Sequence, residues 1–281
     1  MKKIYLFALT ALLLSLTACL GNDEPNEQTV NILMYNRVTD TQAESGAIPY
    51  FSQSTCGFKL IDRNSALGVR ANIALRVADG NVVSFDTGDL TMQRTSSGAY
   101  VYAFTCPQLT SGGHTITNLV GSLDIYGALY VSFEVDGRYV AHCTSEPYYK
   151  KTSTEVRNAE TDEMIYTTSD AQYGIAINVN TMKAVVYLMG FKPGENDATL
   201  SRLHFIDLDA TVTAAGYRIT GTDATAQNTQ EGLTNVVDEY KAKSVELDVY
   251  DNGRRIGGEI VLDNGKKLIL SGYFYNSEES N

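Results

Sequence analysis

The side chains in this sequence that could do chemistry are few and widely spaced. Val82-Val83-Ser84-Phe85 runs into Asp86-Thr87-Gly88, which sets a carboxylate at the end of an apolar strand. A carboxylate in such a turn works as an acid–base catalyst when a second one shares its proton. The second half of the chain offers no Asp-Thr-Gly or Asp-Ser-Gly, so that acid would have to come from a second copy of the chain. The histidines His114, His142 and His204 form no His-Glu-x-x-His run and no i, i+4 pair, so no zinc signature exists. The acid pairs Asp207/Asp209 and Asp248/Asp251 are too sparse for a calcium loop. No Gly-x-Ser-x-Gly elbow, phosphate-cradling Gly-x-x-x-x-Gly-Lys or dinucleotide fingerprint occurs. No metal and no cofactor is expected.

Apolar residues running into Asp86-Thr87-Gly88 resemble the catalytic turn of the aspartic proteases, which would imply a hydrolase with Asp86 as its acid. Against it, Asp89 replaces the small residue that usually follows the glycine. An Asp-Thr-Gly at a strand end is also simply a good turn. Asp86 is therefore kept as a candidate acid, and a hydrolase as the alternative to a non-catalytic module.

The elements that would position these groups are strands. Alternating segments run over about 30–35, 48–51, 56–62, 67–77, 82–92, 99–106, 115–126, 129–135 and 138–144, with turn-forming clusters between them. One pattern occurs twice. Leu123-Asp124-Ile125-Tyr126 precedes a strand, an Asp136-Gly137 turn and a return strand; Leu247-Asp248-Val249-Tyr250 precedes a strand, Asn264-Gly265 and a return strand. Both turns are expected to be two-residue type I′ turns. In the second, that register puts Ile260 with Ile269 on one face and Val261 with Leu268 on the other. Two further stretches match in order: 52–67 with 169–184, and 89–98 with 207–216. The expectation is an all-β chain of two tandem related antiparallel domains, each a sandwich or small barrel, over 30–146 and 163–281. Residues 147–162 read as a polar linker and Thr220 to Gln230 as an exposed loop. Gly232 to Lys243 suits one short helix or an irregular strand equally.

Composition bounds the partners. The formal net charge is -11, from 33 acidic and 22 basic residues, which disfavours nucleic acid. The 18 tyrosines and absence of tryptophan fit half-buried strand surfaces. Past residue 19 the cysteines are Cys56, Cys106 and Cys143. In an up-and-down meander Cys56 and Cys106 reach the same sheet edge, so a disulfide is expected between them.

The N-terminus carries Lys2-Lys3, an apolar run from Ile4 to Leu16, and Leu16-Thr17-Ala18-Cys19. This resembles the lipobox signal peptide of bacterial lipoproteins. The resemblance implies that residues 1–18 are removed, that Cys19 is lipidated, and that 19–29 is a flexible tether. Asn22-Asp23-Glu24 behind the cysteine looks like the acidic export tag of some Gram-negative lipoproteins, which implies the outer membrane or cell surface. The expected partners are the membrane, through the anchor, and an unknown protein, glycan or small molecule. The chain is thus expected to act as a cell-envelope binding or structural module.

Overall fold

A computed structural model describes residues 26–43, 49–63, 66–77, 81–94, 100–124, 128–178, 180–230 and 233–274. Cys19, the tether up to residue 25, the Asp79-Gly80 turn and Ser97-Gly98 lie outside them. The described residues form strands and turns, with one 3-10 turn at Asp238–Tyr240. They fall into two compact units, 1–42 with 53–146, and 43–52 with 147–281.

In the first unit the strands are β1 (Asn26–Asp40), β2 (Tyr50–Arg63), β3 (Ala66–Arg76), β4 (Val82–Asp86), β5 (Leu90–Thr91), β6 (Gln93–Arg94), β7 (Tyr100–Ser111), β8 (His114–Asp124), β9 (Leu129–Val135) and β10 (Tyr139–Thr144). They order as β4-β3-β2-β1-β10-β9-β8-β7-β6, with β5 on β3. Alternation decides which residues face the core. Along β9, Leu129, Val131, Phe133 and Val135 are buried and the residues between them are not. Gly121 does not break β8: it pairs with Phe104, whose ring fills the space a Cβ would take.

The second unit comprises β11 (Tyr149–Asn158), β12 (Met164–Thr168), β13 (Gln172–Asn178), β14 (Lys183–Phe191), β15 (Leu200–Thr213), β16 (Gly216–Ala224), β17 (Ala226–Gln230), β18 (Leu233–Val236), β19 (Ala242–Tyr250), β20 (Arg255–Leu262) and β21 (Lys266–Phe274). The order β14-β13-β11-β21-β20-β19-β16-β15 closes through β14–β15 pairing into an eight-stranded antiparallel barrel. Eight strands leave an interior that side chains can fill. Here Tyr173, Phe205, Ile219, Ile256, Ile260 and Leu268 are all fully buried.

The units are related in strand order, because in each the first strand pairs with the last and lies next to the return strand that follows it. Residues 123–144 supply the end of β8 with β9 and β10, and the matching stretch supplies β19, β20 and β21.

Several expectations need correcting. The supposed linker at 147–162 is mostly β11, a strand of the closed barrel, with Thr152, Thr154 and Val156 turned inward. Its polarity misled because the threonine hydroxyls are satisfied inside: Thr154 Oγ1 bonds the Tyr173 hydroxyl at 2.6 Å, and Thr152 donates to the Ala171 carbonyl. Residues 43–52 group with the second unit, where Phe51 packs edge-on against Tyr148 and Tyr217. The Thr220–Gln230 loop is the end of β16 and β17, and of the two alternatives for Gly232 to Lys243 the strand is found, as β18 followed by the 3-10 turn.

The two hairpin turns also differ. Asp136 (φ 53°) and Gly137 (φ 63°) are both left-handed, as in a type I′ turn, yet Val135 pairs with Tyr139, so here too three residues rather than two join the strands. In the second copy only Gly265 (φ 80°) is, and its N–H reaches the Leu262 carbonyl at 3.2 Å across a three-residue loop. That extra residue shifts the register by one. Ile260 pairs with Leu268 inside the barrel, while Ile269 pairs with Glu259 outside.

Candidate functional site

Asp86 is placed by the β4 ladder and tied down at once. Arg70 Nε donates to its two oxygens at 2.8 and 3.0 Å, and the Gly88 N–H donates to Oδ1 at 2.7 Å. Partial burial opposes ionisation, but Arg70, the Gly88 amide and Asn72 together hold the carboxyl below the usual carboxylate range. Thr87 Oγ1 accepts from Ala71 N and donates to the Gly88 carbonyl. This acid is a turn fastener, and its geometry does not suit proton donation near neutral pH.

Among the described residues Cys56, Cys106 and Cys143 are free thiols. The expected Cys56–Cys106 bridge is not formed: β1 inserts between β2 and β10, which the assumed meander omitted, and Cys56 and Cys143 are the thiols close enough to interact. Cys106 is half-buried, with its Sγ 3.4 Å from the Gln108 carbonyl. The histidines stay apart. His114 meets Asp136 at 2.8 Å, His142 meets the Tyr130 hydroxyl at 2.8 Å, and His204 meets Gln227 Oε1 at 3.0 Å. Asp209 is ion-paired with Lys183 and Asp248 with Arg218. Among the described residues no group of three or more His, Cys, Asp or Glu could hold a metal.

The arrangement with the most chemistry lies on the outer face of the barrel, where the repeated Leu-Asp-aliphatic-Tyr stretch of β19 turns Asp248 and Tyr250 outward. Register lines up three rows across neighbouring strands. The middle row is Arg218, Asp248, Gly257, Ser271 and Ser153, on β16, β19, β20, β21 and β11. On one side runs Tyr250, Arg255, Tyr273 and Lys151; on the other, Glu246, Glu259, Ile269 and Glu155. From Gly257 through Ser271 to Ser153 the middle row is a trough because its side chains are short or absent. A Cβ at Gly257 would come within 3.8 Å of the Tyr250 ring and hydroxyl. Gly258 (φ 140°) lets the backbone run against β19, where a Cβ would meet the Glu246 carbonyl oxygen at 2.2 Å.

The depression over Gly257 and Ser271 measures about 600 Å³. A second, of about 310 Å³, lies past the Arg218–Asp248 pair, beside Glu246 and Glu259. Arg218 grips Asp248 with Nε at 2.8 Å and Nη2 at 2.9 Å, and those bonds hold Asp248 below the usual carboxylate range. The Arg255 guanidinium stacks on Tyr273 at 4.4 Å and Tyr250 at 5.3 Å, and donates to the Tyr273 hydroxyl. The trough therefore offers fixed donors, fixed acceptors and two tyrosine rings that share Arg255 between them, with Tyr273 exposed and Tyr250 and Arg255 half-buried. Arg218 was missed from sequence because it lies thirty residues before Asp248; the doubled glycine was the available signal.

No family model matches the chain, and no curated protein does. Among solved structures, one match is the Myxococcus xanthus hemagglutinin in complex with a3,a6-mannopentaose, at 13% identity and TM-score 0.16, over 85% of this chain and 99% of that one. A likeness at that score carries no argument about fold or ligand.

Proposed function

We propose that this chain is a lipid-anchored cell-envelope protein whose second unit is a binding module, with the outer trough of the barrel as its site for an extended polar ligand. The trough carries the reading: a solvent-open row floored by Gly257 and Ser271, with a bidentate Arg218–Asp248 pair at one end and stacked Tyr250, Arg255 and Tyr273 along one side. Fixed polar groups beside ring faces suit recognition. Anchorage rests on the Lys2 to Cys19 stretch, and the acidic residues behind it support display at the outer membrane or surface. Two or three acyl chains give a stable anchor, since each buried methylene contributes about 0.8 kcal/mol.

Growth with labelled palmitate tests the anchor. The wild-type chain should take up label and Cys19→Ala should not; an unlabelled wild-type chain contradicts it. Hydroxyl-radical footprinting tests the site, with glycogen, xylan, polygalacturonate and unfolded casein as probes. At least one should shield Tyr250 and Tyr273, and shielding confined to other residues would refute the assignment.

A further inference from the structure

We infer that the trough's ligand is an unbranched, uncharged glycan held by an internal run of its rings, an inference that rests on the binding role proposed above. Charge is nearly balanced along the row: Asp248 is matched by Arg218 and Glu155 by Arg157, which leaves Glu246 and Glu259 on one side and Arg255 and Lys151 on the other. Arg255 lies against two tyrosine rings and the whole chain carries -11, so an anionic polymer finds no basic surplus here.

A peptide gains most of its affinity for a sheet by adding to a free edge. Here all five strands are paired on both sides, and the trough runs across them. The groups left to recognise a ligand are a carboxylate, a guanidinium, serine hydroxyls and ring faces. Vicinal hydroxyls can bridge the acceptor and donor atoms of the Asp248–Arg218 pair, while the C–H face of a pyranose lies on Tyr250 or Tyr273.

From Arg218 to Ser153 the row crosses four strand spacings, roughly 19 Å, the span of about four pyranose rings. Beyond Arg218 the row continues to exposed Thr211 on β15, and Ser153 at the other end is exposed, so a longer chain can pass through.

Calorimetric titration with linear glucan, xylan and mannan oligosaccharides of two to eight residues, against oligogalacturonates of the same lengths, tests this. At least one neutral series should bind, with affinity rising to about four residues and then levelling. Tyr250→Ala should weaken it about five- to tenfold, in keeping with the loss of one ring contact. Gly257→Val, at a position with ordinary backbone geometry, should fill the trough and abolish binding while the thermal transition is kept; Ser271→Leu is the second filling variant. If oligogalacturonate or casein shields Tyr250 and Tyr273 and no neutral series binds, the ligand class is wrong and the site stands. If neutral series bind equally well to both filling variants, the inference and the site both fail.

Discussion

Asp248 and Asp124 hold the same place in the two copies of Leu-Asp-aliphatic-Tyr, yet Asp248 lies across from Arg218 while register sets Tyr100 across from Asp124. Because the Arg218–Asp248 pair is solvent-exposed, its contribution to stability is small, about 0–1 kcal/mol. Asp248→Asn should therefore leave the urea midpoint nearly unchanged while weakening ligand binding, and a large loss of stability would show that the pair is structural. His204 gives a prediction of its own. It is buried, and burial holds its pKa below the ordinary value despite the bond to Gln227. The unfolded chain takes up that proton near pH 6.5, before the folded one does. Stability should thus be full above that pH and fall as pH drops below it, and His204→Gln should flatten that slope in urea titrations between pH 7 and 5. The thiols divide as sharply. Burial pushes Cys56 up to about 12 and raises Cys143 further, whereas Cys106 is half-buried. Of Cys56, Cys106 and Cys143, a thiol reagent should label only Cys106 in the native protein, and labelling of Cys56 or Cys143 without unfolding would contradict the packing.

At the scale of elements, strand existence was legible and register was not. The segments predicted over 56–62, 67–77, 115–126, 129–135 and 138–144 lie on β2, β3, β8, β9 and β10, because alternation of apolar and polar residues is a local signal. The last hairpin was misread through one residue. Asn264-Gly265 suits a two-residue turn, but the loop takes three residues, and Ile269 moves to the outer face beside the trough. Nothing local distinguishes those loops. The strand at 149–158 was hidden for another reason, since threonines that pair inside a barrel look polar in sequence. The trough needed pairings some thirty residues apart, so only its repeated Asp and Tyr could be seen beforehand. Gly121→Val tests the local packing on β8. It would drive a branched side chain into the Phe104 ring and should cost about 1–3 kcal/mol.

At the scale of the molecule, the chain holds two related β-units, and Ala43–Ser52 groups with the later one. Phe51 is fully buried there, and Gly253 (φ 80°) leaves room for its ring. Phe51→Ala should cost about 3–5 kcal/mol, read as a lowered thermal transition of the second unit. Within the polar stretch at 147–162, residues 149–158, being a barrel strand, should resist limited proteolysis. The measurement that bears most directly on the central claim is a crystal of the protein grown with a neutral linear hexasaccharide. The account predicts sugar density crossing the strands over Gly257 and Ser271, with hydroxyls on Asp248 and Arg218 and a ring on Tyr250 or Tyr273. Density at any other surface, with that row left empty, would contradict it.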